Sequence, residues 1–489
     1  MDEQFGLVID GQVVAGAGGS YAVTNPVRPA EVVLTAPTAS LAQLDEAVAA
    51  ARRAFPGWAA TSTEDRSAAV VAAARQAAAA VDRGDLARLL TREHGKVLFE
   101  AIFDAGTIGA MAAGFAPFAA ESLAPRHIGS GARRTEIEHV PHGVVAALLP
   151  FNWPVSVMGN KVLPALLTGN TVVAKAPPTC PGAVLATVAA LAAALPPGVL
   201  NIVNGPDAAL GEALVTHRDV DMVSFTGGVP TGRAVMASAA AATKPLVLEL
   251  GGNDPAILAP DVEIDDALAG RLVEAAFVTS GQVCMAIKRL YVHEDSMPAL
   301  IEALVARLST EVVGDGLVDG VTMGPVHRPQ ARDRVESFIA EAASLGARVH
   351  RPAQLRDEDS EAGGYVVSPA IVEAPPPDAL IVREEQFAPA LPVLGYRDLE
   401  EALSAANDTD FGLCASIWSN DEALAASISH RLEAGTIFVN THGMSAMDFR
   451  APMGGWKQSG FGVELGPEGM RAFTRARTVL THPGPARAG

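Results

Sequence analysis

Val144-Val145-Ala146-Ala147-Leu148-Leu149-Pro150-Phe151-Asn152-Trp153-Pro154 is the stretch from which the reading of this chain starts. Residues 144–149 are apolar without interruption, which predicts a short strand buried on both faces. The two prolines bracket a turn, and a helical pattern resumes through 163–167. The unit then recurs. Strand 171–175 precedes helix 183–195, and strands follow at 199–203, 222–225 and 246–250. Buried strands that alternate with helices require a parallel sheet covered on both faces. The predicted fold class is α/β, beginning with a Rossmann-like doubly wound domain suited to a nucleotide.

Upstream, residues 41–121 are Ala-rich and helical in pattern. Ser62, Thr63 and Glu64 offer capping groups, and Ala68, Val71, Ala72 and Ala79 are expected on the buried face of the helix that follows. Downstream, a second α/β segment starts near Gly251, with strand 256–258, helix 264–279 ending at Ser280-Gly281, and strand 289–292. Alternation continues to about residue 440. The Gly-rich, aromatic run 454–462 reads as an ordered loop and the polar run 350–364 as a surface loop. Residues 133–140 read as an exposed strand in need of a partner.

With 489 residues, two or three compact units are expected. The 55 acidic residues outnumber the 36 basic ones, which argues against a nucleic-acid partner, because phosphate binding needs a basic face. Cys180, Cys284 and Cys414 lie far apart, so neither a disulfide framework nor a metal site is predicted. Residues 1–4 lack the basic and apolar regions of a signal peptide. The most apolar run, 182–195, is too short and too weakly apolar to span a bilayer. A soluble, cytoplasmic protein is expected.

Three local groups suggest chemistry. Cys284 follows Ser280-Gly281-Gln282-Val283 between a helix and a strand, where a thiol is either an exposed nucleophile or a small buried hydrophobe. Glu249 sits inside Leu246-Val247-Leu248-Glu249-Leu250-Gly251-Gly252. A carboxylate in a buried strand is either salt-bridged or a base with a raised pKa that activates water. Asn152 ends the first strand, where it either donates to a developing oxyanion or caps the next helix. Lys175 also ends a strand, and Phe225-Thr226-Gly227-Gly228-Val229-Pro230-Thr231-Gly232 joins a strand to a helix, with glycines that permit close approach of a pyrophosphate.

Together these motifs resemble the aldehyde dehydrogenase superfamily over almost the whole chain. Phe-Asn-Trp-Pro at 151–154, Glu-Leu-Gly-Gly at 249–252 and Gly-Gln-Val-Cys at 281–284 stand in the family's order. Glu384-Glu385-Gln386-Phe387-Ala388-Pro389, Asn407 with Phe411-Gly412-Leu413, and Gly454-Gly455-Trp456-Lys457-Gln458-Ser459-Gly460 follow in register. The resemblance implies a Cys284 nucleophile, a Glu249 base, an Asn152 oxyanion donor and a proton-relay Lys161. NAD or NADP is the implied cofactor. Lys175 would meet its adenosine ribose, Glu385 its nicotinamide ribose and Phe387 its ring, while the Gly227–Gly232 turn, with Gly227 and Gly228, would face the pyrophosphate. Phe151, Trp153, Pro178, Gly205, Phe225, Thr226 and Leu250 complete the expected cofactor contacts.

The implied organisation assigns 1–122 and 142–250 to the cofactor domain and 251–447 to the catalytic domain. Residues 123–141 and 470–489 would form an oligomerisation extension, with 448–469 a loop returning to the active site. A homodimer or homotetramer is expected. Pro178 stands where many NAD-preferring members carry a Glu that grips the ribose hydroxyls, so NADP is expected to be tolerated. Asn253-Asp254 and Ala388 are further departures. Two rivals are a CoA-acylating semialdehyde dehydrogenase, in which the deacylating Glu is usually missing, and a non-catalytic binding protein that keeps the fold. Trp153, Asn160, Val283, Met285 and Phe449 are the candidate substrate pocket and favour a medium-sized, uncharged aldehyde. Lys288 and Arg289 read as charges on the surface at the start of a strand.

Overall fold

Residues 144–148 form a strand, Val144–Leu148, with every residue buried, at the middle of an eight-stranded sheet. The computed structural model describes residues 5–80, 83–129 and 134–482. Across the sheet the strands run Gln12–Val14, Leu7–Ile9, Leu200–Val203, Thr171–Lys175, Val144–Leu148, Met222–Thr226, Leu246–Glu249 and Gly460–Phe461. The five strands between 144 and 249 are parallel. Their spatial order is third, second, first, fourth, fifth. Strand order therefore reverses beside Val144–Leu148, and the loops leaving it and Met222–Thr226 open the crevice where doubly wound sheets bind ligands.

Helices cover both faces of this sheet. Pro154–Leu167 begins with a proline in its first turn, where the missing N–H costs no hydrogen bond, and is buried along most of its length. Among the described residues the 41–121 region forms five helices, the last two being Leu98–Gly106 and Ile108–Leu123. Ser62 Oγ accepts from Asp65 N at 3.1 Å, as its capping role predicts. The buried face of Thr63–Ala80 is Val70, Ala73, Ala74 and Ala77, whereas Ala68, Ala72 and Ala79 are exposed and Val71 half-buried. In so Ala-rich a helix no apolar stripe stands out, and packing alone selects the face. Among the described residues no single helix is long and apolar enough to cross a membrane; the bent pair Leu98–Gly106 and Ile108–Leu123, which meets that test only jointly, buries Ile108, Met111, Phe115 and Ala119 inside the protein.

A second, seven-stranded sheet follows. Its order is Arg348–His350, Ala370–Glu373, Ala390–Tyr396, Ile287–His293, Asp254–Leu258, Cys414–Trp418 and Thr436–Val439, parallel except at the first pair. Asp265 caps the Asp266–Phe277 helix by accepting from Leu268 N at 2.7 Å. The chain then turns through three left-handed residues, Thr279, Ser280 and Gly281, at φ 54°, 56° and 71°. A Cβ on Gly281 would lie 2.6 Å from the Ala388 carbonyl oxygen, so both conformation and space demand glycine here. This sharp turn delivers the segment bearing Cys284.

A third sheet pairs Arg126–Ile128, Arg134–Pro141 and Thr474–Thr481 in antiparallel fashion. Arg133, at the start of the predicted strand, and the chain ends 1–4 and 483–489 lie outside the described residues. Two further expectations are revised. The 350–364 run is more than a surface loop: Gln354–Leu355 pairs with Val312–Val313, and Asp357–Glu361 is helical. Asp359 there is buried and receives Arg28 and Arg356, a long-range tie invisible in a locally polar run. The 454–462 loop contains two short strands, one paired with Phe411–Gly412 and the other with Leu246–Glu249.

Candidate active site

Sheet geometry brings Asn152, Glu249 and Cys284 together from three separate elements. Asn152 leaves the carboxyl end of the first strand, and its Nδ2 donates to the Gln282 carbonyl at 2.9 Å. It does not cap the following helix, whose N-cap is Trp153 without any side-chain capping bond. The capping alternative is thereby removed, and one amide hydrogen remains directed to the turn that carries Cys284. Cys284 is partly buried, whereas Cys180 and Cys414 are buried in the core. Burial pushes the Cys284 thiol up to about 12; Lys288 pulls it down, and Asp254, Glu385 and Glu249 push it further up.

Glu249 ends its strand paired with Gly460, and neither carboxylate oxygen has a hydrogen-bond partner. Burial raises its pKa well above the usual carboxylate range, the Glu464 charge adds to that, and Lys161 opposes it. Lys161, from the Pro154–Leu167 helix, donates to Glu464 Oε1 at 2.5 Å and to Ser224 Oγ at 3.1 Å. Glu464 lies outside the sequence motifs described above. The signal for it is weak, because its partner lies about 300 residues earlier and only the returning strand brings them together.

Strand ends around the crevice hold the expected cofactor residues. Lys175 Nζ donates to the Gly205 carbonyl at 3.1 Å, and burial lowers its pKa to about 8. The Pro178 carbonyl accepts from Tyr21 Oη at 2.6 Å. Phe225 and Leu250 are buried, and Thr226 Oγ1 is a buried hydroxyl without a partner. Gly228 is the N-cap of the Val229–Ala240 helix and makes no side-chain capping bond, so the helix N-terminus presents free N–H groups. A Cβ on Gly232 would lie 2.5 Å from Leu250 Cδ2, and one on Gly251 would overlap the Glu385 carboxylate. Glu385 Oε1 accepts from Gly252 N at 3.0 Å. Phe387, held at φ 48°, meets the Phe151 ring edge-on at 6.1 Å. A dinucleotide fits this crevice, which supplies free helix N–H groups for phosphates and leaves Thr226 Oγ1 unpaired.

Trp153 packs with Val283, Met285 and Phe438, while Phe449 is 46% exposed at the margin. The Lys96 ammonium lies 3.8 Å from the Trp153 ring centre and pairs with Asp104, both fully buried. Asp104 Oδ1 also accepts from Ser156 N at 2.8 Å, which anchors the first turn of the helix carrying Lys161. Lys288 and Arg289 are not surface charges. Both are buried, Arg289 donating to the carbonyls of Asn253, Ala405 and Ala406, and Lys288 to those of the Cys284 turn. Local sequence misplaces them, since only tertiary contacts can satisfy a buried cation. Asn253, a departure from the family's usual residue, donates to the Val382 carbonyl at 2.8 Å and braces the segment before Glu385.

A dinucleotide crevice that ends on a thiol and a carboxyl held above its usual pKa has the layout of a nucleotide-dependent oxidoreductase. The chain matches the Aldehyde dehydrogenase family over residues 13–479. It is 34% identical to betaine aldehyde dehydrogenase 1 of Rhizobium meliloti across 98% of each chain. An NADP-dependent enzyme of E. coli superimposes with a TM-score of 0.92 at 31% identity, covering 98% of both chains. The NAD+ complex of Staphylococcus aureus betaine aldehyde dehydrogenase gives 0.92 at 31% identity, over 99% of this chain and 96% of that one. This protein belongs to the aldehyde dehydrogenase family and is an NAD(P)-dependent enzyme that oxidises aldehydes to carboxylic acids.

Proposed function

We propose that the oxidation runs through a covalent adduct on Cys284, with Glu249 as the base that hydrolyses it. The observation that carries this reading is the Glu249 carboxyl, buried with both oxygens unpartnered among the described residues and acting on Cys284, the least buried of the three thiols. Cys284 Sγ attacks the aldehyde carbonyl, and the oxyanion of the thiohemiacetal takes hydrogen bonds from Asn152 Nδ2 and the Cys284 backbone N–H. Bound NAD(P)+ supplies the hydride acceptor that converts this adduct to a thioester. Glu249 then takes a proton from water, the resulting hydroxide displaces the thiolate, and the acid leaves. The presence of that base favours water over CoA as the acyl acceptor. Lys161 and Glu464 carry the proton away from Glu249.

In this reading residues 1–122 and 142–250 hold the cofactor, 251–447 the nucleophile, and 448–469 the closing loop. Lys175, Gly205 and Pro178 face the adenosine ribose; Phe225, Thr226, Gly227, Gly228 and Leu250 face the pyrophosphate. Phe151, Trp153, Glu385 and Phe387 border the nicotinamide half. Pro178 offers no carboxylate against a 2′-phosphate, so both NAD+ and NADP+ serve. A medium-sized, uncharged aldehyde suits the apolar lining. The Thr474–Thr481 strand, paired on one side only among the described residues, suits pairing with a second copy, in a cytoplasmic dimer or tetramer.

Rapid-mix kinetics test the chemistry. Glu249→Gln gives one equivalent of NAD(P)H per site and then stalls, and Cys284→Ser binds cofactor but gives none. Steady turnover of Glu249→Gln at the wild-type rate would refute the assignment.

A further inference from the structure

Three lysines are buried among the described residues: Lys96, Lys161 and Lys288. Lys96 has Asp104 at 3.1 Å and Lys161 has Glu464 at 2.5 Å. Lys288 has no carboxylate within salt-bridge distance among the described residues. Its Nζ donates to the carbonyls of Val283 at 2.5 Å, Ala286 at 3.3 Å and Cys284 at 3.5 Å. Carbonyl dipoles satisfy the ammonium hydrogens but leave a full charge without a counter-ion, which is costly in a buried place. Its neighbour Arg289 is placed differently, reaching the Ala405 and Ala406 carbonyls at the negative end of the Leu399–Asn407 helix.

All three Lys288 acceptors belong to the turn that carries the thiol. Among the titratable groups that act most strongly on Cys284, the carboxyls of Asp254, Glu385 and Glu249 oppose its ionisation and Lys288 favours it. His442 stands behind Asp254 at 3.7 Å, and Cys414 is buried nearby. A thiolate formed here is opposed first by burial and then by these carboxyls, and Lys288 offsets them.

Resting on the reading of Cys284 as nucleophile, we propose that Lys288 is its positioning residue: the ammonium clamps the 283–286 turn through three carbonyls and is the counter-ion of the Cys284 thiolate. Ionisation then converts an unpaired buried cation into an ion pair, with the thiol proton leaving to solvent. The resting charge of Lys288 is thus held in reserve for the nucleophile.

The test is the pH profile of Cys284 carboxamidomethylation by iodoacetamide in the intact enzyme, read on the Cys284 peptide by mass spectrometry, with thermal melting to verify folding. Lys288→Met removes charge and hydrogen bonds; Lys288→Gln keeps a donor without the charge. Both are expected to raise the profile's midpoint by at least one pH unit, while Lys288→Arg stays within a few tenths of wild type. A folded Met or Gln variant with an unmoved midpoint overturns the proposal. If neither neutral variant folds, a one-unit rise in folded Lys288→Arg, which keeps the charge, overturns it equally. Failure of the nucleophile reading shows separately, as wild-type enzyme that keeps oxidising aldehyde after Cys284 is fully labelled.

Discussion

Lys161 donates to Glu464 at 2.5 Å and leaves Glu249, whose charge both of them influence, without a hydrogen-bond partner among the described residues. Two buried carboxyls thus lie near one ammonium, and burial with the neighbouring Glu464 charge raises the pKa of Glu249, the one without the contact. The arrangement suits a base that receives and releases a proton, because a carboxylate already locked in an ion pair would be too weak.

Opposite pH shifts follow from removing either partner. Glu464→Gln takes away the repelling charge and frees Lys161, so the Glu249 pKa falls and the acid limb of kcat moves to lower pH. Lys161→Met removes the opposing cation, so the Glu249 pKa rises and the same limb moves to higher pH. Lys161→Met also strands Glu464, at a stability cost of about 3–5 kcal/mol. Deacylation-limited kcat from pH 5 to 10 is the measurement, and limbs moving in the same direction in both variants would contradict the pairing.

Gly251→Ala probes the nicotinamide side. The added Cβ would overlap the Glu385 carboxylate, which must swing away from Gly252 N. Cofactor affinity is expected to fall about 10-fold, equivalent to ~1.4 kcal/mol, with little loss of Cys284 labelling. Titration calorimetry with NAD+ and NADP+ reads it; wild-type affinity would show that Glu385 does not hold the ribose.

Pro178→Glu addresses cofactor choice. The half-buried ring lies three residues past Lys175, and a carboxylate there would accept from a ribose hydroxyl and repel a 2′-phosphate. The ratio of kcat/KM for NAD+ over NADP+ is expected to stay below about 10³ in wild type and to rise at least 10-fold in the variant. An unchanged ratio would move the discrimination elsewhere in the crevice.

Much of the fold was legible because its central strands are short, mainly apolar and punctuated. Val144–Leu148, Thr171–Lys175 and Leu246–Glu249 stand where the runs predicted them, since a strand buried on both faces admits few polar residues. The Thr63–Ala80 helix was legible as a helix but not in its orientation, because alanines on every side leave no stripe for the core to select.

Charges divide along the same line. Cys284, Glu249 and Asn152 announce themselves in local sequence, because a thiol beside a glycine turn and polar groups at the ends of buried strands are costly without a purpose. Each alone left a structural alternative open, and it was the family resemblance of their surrounding motifs that implied a shared chemistry. Lys288, read as a surface charge, and Glu464, passed over, acquire meaning only from partners that are remote or made of backbone. Lys288 is held by carbonyls that carry no sequence signature, and Glu464 by a lysine on a helix in the other half of the chain. Short-range patterning specifies strands and the residues at their ends; the field around a buried charge depends on three-dimensional packing, and only the folded chain sets it.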